Sequence, residues 1–91
     1  MPQFVIEREI PGLGDLTEAQ IHDISMKSIG VLDGMGPQIR WLHSYIVEGR
    51  TFCLYEAPDE ELIREHARLT GFPCNKITRV QGTLEPRMGH A

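Results

Sequence analysis

The chain has 91 residues, 41% hydrophobic content and a net charge of −4, which together predict one ordinary globular domain and give no electrostatic support for nucleic-acid binding. No apolar run approaches the roughly 20 residues of a membrane span, and the N-terminus lacks the basic-then-apolar pattern of a signal peptide. The two cysteines are too few and too distant for a disulfide framework, so we expect a cytoplasmic protein with reduced thiols.

The first two elements predicted are a strand and a helix. Residues 3–10 (QFVIEREI) are rich in strand formers, and a proline and two glycines follow. Thr17 and Gln20 have the spacing of a capping box, which predicts that a helix starts there. Apolar or small residues then recur at steps of three and four, as on a helix face that packs on a sheet: Ile21, Ile24, Ser28, Val31 and Met35.

A β-hairpin is predicted next. Residues 40–47 form its first strand, and Glu48-Gly49 occupies the place of a two-residue turn. That turn places Val47 opposite Arg50. The pairs that follow, all with side chains on one sheet face, are Tyr45 with Phe52, His43 with Leu54, and Trp41 with Glu56. Ser44, Cys53 and Tyr55 fall on the other face. A one-residue error in the turn would regroup the two faces.

The last two predicted elements are a second helix and a final strand. Pro58 and Asp59 suit the first turn of a helix, and Gly71 and Pro73 stop it. Its apolar face would hold Leu62, Ile63, His66, Leu69 and Thr70. The last strand is predicted over residues 77–84. We therefore predict one domain over residues 1–85 and a flexible tail over residues 86–91.

The order strand, helix, strand, strand, helix, strand predicts a fold of the α+β class. Two split βαβ units give a ferredoxin-like sandwich, in which an antiparallel four-stranded sheet carries both helices on one face. The other sheet face is then bare and aromatic. Since such a face usually marks an interface, we expect a symmetric homodimer that packs sheet against sheet.

Short segments spread over nearly the whole chain form a specific pattern: Trp41, residues 43–45 (HSY), Cys53, residues 55–59 (YEAPD), residues 63–67 (IREHA) and residues 71–73 (GFP), together with residues 3–8 and 77–80. In these segments the chain resembles a family of small bacterial nickel-binding proteins of ferredoxin-like fold, formerly catalogued as a domain of unknown function. The resemblance implies a homodimer that binds nickel ions and acts in nickel sequestration or detoxification.

Imidazole and carboxylate groups are ligands that nickel(II) accepts readily. His43 is the best candidate, because it stands mid-strand where a plain core position would hold an aliphatic residue. Glu56 is expected on the same face and Glu7 on a neighbouring strand. His66 is a further candidate, although its place on an apolar helix face favours a core histidine. The predicted metal ligands are thus His43, His66, Glu7 and Glu56.

Other metal sites and other functions stay open. Glu18 and His22 stand four apart on an exposed helix face and could chelate an ion weakly, and His90 in the tail could bind metal adventitiously. The alternative function is a dimeric α+β-barrel enzyme of the monooxygenase or isomerase type, with His43 as general base oriented by Glu56 or Tyr45. A protein whose bare sheet serves only dimerisation is a third possibility.

Overall fold

The computed structural model describes residues 1–90, except for the side chain of His90. Its helices and strands are β1 (Gln3–Glu9), α1 (Glu18–Met35), β2 (Arg40–Val47), β3 (Arg50–Glu56), α2 (Glu60–Thr70) and β4 (Lys76–Arg79). Short 3₁₀ helices span Leu13–Asp15 and Pro86–His90. This order confirms the predicted α+β, ferredoxin-like fold.

The four strands form one antiparallel sheet in the order β2-β3-β1-β4. Alternate residues of the two central strands are buried against the helices: Phe4, Ile6 and Arg8 in β1, and Thr51, Cys53 and Tyr55 in β3. Their neighbours point to the opposite side of the sheet, because side chains alternate along a strand. We call that side the open face; it carries Val5, Glu7, Phe52, Leu54 and Glu56.

The hairpin register is as predicted near the turn and different at the far end. Val47 pairs with Arg50, Tyr45 with Phe52 and His43 with Leu54, and Gly49 takes a positive φ of 74° in the turn. A shift in register between Trp41 and His43 then places Trp41 opposite Tyr55.

The predicted pairing of Trp41 with Glu56 was therefore wrong. The irregularity moves Trp41 from the open face to the helix side, where it packs against the core. Its ring nitrogen Nε1 donates a hydrogen bond to Ser44 Oγ at 2.9 Å. Arg40 takes the predicted place of Trp41 opposite Glu56. Beyond a bulge of this kind, each residue of the strand points to the sheet face opposite to the one that simple alternation predicts.

The last strand is shorter than predicted, since β4 ends at Arg79 and not at Leu84. Its only strand neighbour is β1. The pairing stops where Val80 donates its backbone N–H to the Gln3 carbonyl at 2.9 Å. The residue before Gln3 is Pro2, which has no N–H to extend the ladder. The chain beyond Val80 therefore leaves the sheet edge.

Helix α1 starts where the sequence predicts, whereas α2 begins at Glu60, after Pro58 and Asp59, which the sequence had placed in its first turn. Thr17 Oγ1 accepts from the Gln20 backbone N–H at 3.2 Å, and Gln20 Oε1 accepts from the Thr17 backbone N–H at 2.9 Å, which completes the capping box. The Asp59 carboxylate accepts from the Leu62 backbone N–H at 3.0 Å at the start of α2. Within residues 1–90, neither helix is long and apolar enough to cross a membrane.

The candidate metal site on the open sheet face

A groove of about 470 Å³ crosses the open face. Its floor includes Val5, His43, Tyr45 and Phe52, and one wall is formed by residues that follow β4, among them Glu85. The groove exists because the chain turns back over the sheet after β4 ends. Glu85 is the last residue of the domain predicted from the sequence, and no local pattern shows that its carboxylate lines the same groove as His43.

His43 is an exposed side chain on the edge strand β2. Its ring lies edge-on to the Tyr45 ring, with the two ring centroids 5.1 Å apart. His43 on β2 pairs with Leu54 on β3, and Leu54 pairs with Val5 on β1, so these three residues form one row across the strands. An accessible imidazole on a largely apolar floor is free to accept an ion or a ligand from solution.

Glu7 and Glu56 share the open face with His43, but they lie in other rows. Glu7 pairs with Phe52, and Phe52 with Tyr45. Two strand spacings, about 10 Å, separate Glu7 from the strand of His43.

Arginines hold both of these carboxylates. A distance of 3.7 Å joins Glu7 Oε1 to Arg50 Nη1, and one of 3.3 Å joins Glu56 Oε1 to Arg40 Nη1. Within one chain the predicted ligands therefore lie on one face without converging on a single ion.

His66 lies on the other side of the sheet. It is fully buried in α2, its Nε2 is 3.2 Å from Ser28 Oγ, and its Nδ1 has no hydrogen-bond partner. Burial, and secondly the positive charge of Arg8, lower the pKa of His66 to about 4. The neutral ring could in principle coordinate, but the charge of Arg8 opposes a cation there. His66 thus receives less support as a ligand than His43.

No cluster of three or more His, Cys, Asp or Glu side chains able to hold a metal ion occurs in the part of the chain that the structure describes. Glu18 and His22 are both exposed on α1, as predicted, and the side chain of His90 lies outside the described residues. Cys53 is buried and Cys74 is half-buried. A nickel site built on His43 would accordingly need donors from a second molecule.

Comparison with known proteins gives the chain its family. No curated protein matches the sequence. The crystal structure of SCO4226 from Streptomyces coelicolor A3(2) matches with a TM-score of 0.74 and 18% identity, over 90% of this chain and 99% of that one. At that identity the likeness concerns the fold. The family model "Nickel responsive protein SCO4226-like" matches residues 4–80, and the chain therefore belongs to the SCO4226-like nickel responsive protein family.

Proposed function

We propose that this protein binds nickel(II) on the open face, with His43 as the imidazole ligand, and does so as a homodimer that pairs two open faces. The observation that carries the proposal is the place of His43, an exposed imidazole in a groove that a carboxylate residue, Glu85, also lines. The choice of nickel as the metal rests on the name of the family. Sequestration or detoxification of nickel is the role that fits a small binding protein of this kind.

The donor types fit nickel, although one chain offers an incomplete set. Nickel(II) accepts imidazole and carboxylate donors. A two-fold axis through the groove would bring two copies of His43 and of its neighbouring carboxylates to one interface. Glu7, Glu56 and Glu85 are held by arginines at the surface. Because exposed ion pairs contribute at most about 1 kcal/mol, an ion could displace those arginines.

The homodimer has support of its own on the open face. Tyr45 is 63% exposed and Val47 is 42% exposed, while Phe52 and Leu54 are half-buried beside them. An apolar sheet face of this kind usually marks an interface. Light scattering should give the mass of a dimer at micromolar concentration, and Tyr45→Glu should give a folded monomer. A parent protein that is monomeric would contradict the dimer.

Calorimetric titration with nickel, zinc and copper, on protein purified without a metal-affinity tag, tests the metal. His43→Ala should weaken nickel binding at least tenfold, which corresponds to about 1.4 kcal/mol, and keep the fold. His22→Ala removes an exposed histidine of α1 and is the matched control, with parent-like binding. If His43→Ala binds nickel as the parent does, His43 is not a ligand. His66→Gln then tests the buried candidate.

A second candidate function is an enzyme that acts on a small organic molecule in the same groove. Two observations favour it: the groove volume of about 470 Å³ lies in the usual range for ligand sites, and the Tyr45 ring contacts the predicted general base His43. Glu56 is engaged by Arg40, so Tyr45 would orient the base. Mass spectrometry of the small molecules that co-purify with the protein distinguishes this function from metal binding alone.

A further inference from the structure

A second cavity lies on the helix side of the sheet, between the N-terminal half of α1 and strands β2 and β3. We call it the helix-side cavity. It has a volume of about 100 Å³. Its walls are mainly apolar and include Leu16, Ile21, Ile24, Trp41 and Phe72. None of the side chains that line it is acidic, so a metal ion would find no carboxylate there.

Arg8 also lines the helix-side cavity, and its charge is not compensated. The residue is only 3% exposed. Its Nη1 donates to the Pro73 carbonyl at 2.6 Å, whereas its buried Nη2 has no hydrogen-bond partner. Among residues 1–90, none of the ion pairs involves Arg8. A buried, unpaired charge is costly, so an anion in the cavity would be strongly favoured.

The neighbours of Arg8 do not supply that anion. Burial raises the pKa of the Tyr55 phenol, which keeps the hydroxyl neutral, and His66 is uncharged near neutral pH because its pKa is lowered to about 4. A second cation is close by: the Phe72 ring centroid is 5.8 Å from Arg8 Cζ and 5.4 Å from Lys27 Nζ. The local field therefore favours a negative charge beside Arg8.

Three hydroxyl groups of the cavity wall have a hydrogen-bond partner within the protein. Ser25 donates to the Ile21 carbonyl at 2.9 Å, Ser28 Oγ is 3.2 Å from His66 Nε2, and Ser44 accepts from the Trp41 ring nitrogen. Arg8 is the one charged side chain among the residues that line the cavity, and the other donors there are neutral hydroxyls such as those of Thr51 and Tyr55. A single positive charge suits a monovalent carboxylate better than a phosphate, which carries more negative charge.

We propose that the helix-side cavity binds a short-chain aliphatic monocarboxylate, with the carboxylate paired to the Arg8 guanidinium and the alkyl chain packed among the apolar side chains under α1. The volume of about 100 Å³ is smaller than the roughly 150 Å³ of an apolar cavity that accepts benzene, so it limits the ligand to fewer non-hydrogen atoms than benzene has, as in propionate. This site lies on the opposite side of the sheet from His43 and is independent of the proposed nickel site.

Titration of the parent protein with propionate tests the proposal directly. Trp41 is the only tryptophan and lines the cavity, so its fluorescence reports occupancy. The melting temperature should rise in parallel, because a ligand that binds only the folded state stabilises it. Propionamide has the same shape without the charge and should bind at least tenfold more weakly. Sodium chloride at matched ionic strength should give no saturable response.

Two variants locate the site. Arg8→Met keeps an unbranched apolar side chain without the charge and should weaken propionate binding at least tenfold, whereas Arg79→Met removes an exposed arginine of β4 and should leave it unchanged. Ser25→Leu fills the cavity from α1 without altering Arg8, and should also abolish binding. If Arg8→Met does not fold, binding of the ligand by Ser25→Leu tests the proposal on its own.

Three results would overturn the proposal. They are a parent protein without a saturable response to propionate, equal affinity for propionate and propionamide, and parent-like binding by a folded Arg8→Met or Ser25→Leu variant.

Discussion

The two helices lie on the same side of the sheet and differ in how they are held there. In α2, an eleven-residue helix, Ile63, His66, Ala67 and Thr70 are buried. In α1, an eighteen-residue helix, Ser28 is the buried residue. Several large apolar side chains of α1 stay exposed, among them Met26 at 53% and Ile29 at 42%. The longer helix thus contributes less to the core.

The start signals do not explain this difference, because both helices have a side-chain cap. The distribution of apolar residues does. On α2 they are concentrated on one face, which packs on β1 and β3, while α1 carries apolar residues outside its predicted stripe, such as Met26 and Ile29. A helix whose apolar residues extend beyond one stripe cannot bury all of them against one sheet. The helix-side cavity under α1 is the structural result.

The largest expected effect is at the centre of α2. Ile63 is fully buried in the core, so Ile63→Ala removes buried methyl groups and leaves a cavity. We expect a loss of about 4 kcal/mol in the free energy of unfolding, measured by urea denaturation. A loss below about 1 kcal/mol would mean that α2 is packed as loosely as α1.

The next effect is a pH dependence that arises from His66. Its pKa is about 4 in the folded protein and about 6.5 in an unfolded chain. The unfolded state therefore binds more protons between these values, and stability falls as the pH is lowered from 6.5 to 4, by up to about 3 kcal/mol.

Urea titrations across this range should show a shallower slope for His66→Gln than for the parent. His22→Gln, at an exposed position of α1, should keep the parent slope. Identical slopes for the parent and His66→Gln would show that His66 does not titrate on unfolding.

A smaller effect is expected at the start of α1. Thr17→Ala removes the hydroxyl that accepts from Gln20 and should cost about 1 kcal/mol. Asp59→Ala removes the corresponding cap of α2 and should cost a similar amount. An unchanged denaturation midpoint for Thr17→Ala alone would show that α1 opens before the rest of the protein unfolds.

The smallest effect is expected on the cavity side of α1. Ile24 is 37% exposed and borders the helix-side cavity, so it has fewer packing partners than Ile63. Ile24→Ala also gains helix propensity. We expect a cost below about 1 kcal/mol in urea denaturation. A cost equal to that of Ile63→Ala would remove the distinction between the two helices.

Part of the candidate site could be predicted and part could not. Alternation along the hairpin was enough to place His43, Tyr45 and Phe52 together on the open face. The same counting failed for Trp41, because a bulge depends on how two strands fit and leaves no local signal. The sequence also gives no sign that Glu85 lines the groove of His43, since that contact follows from the early end of β4.

The sequence by itself determined the order of the elements, the cap at Thr17, and the register beside Gly49. These features rest on hydrogen bonds and backbone preferences that act over three or four residues. Only the tertiary structure decided the facing of Trp41, the place of Glu85 and the burial of an unpaired Arg8. Each of these features depends on contacts between segments that are distant in the chain. The free energy of such contacts depends on how deeply the groups are buried.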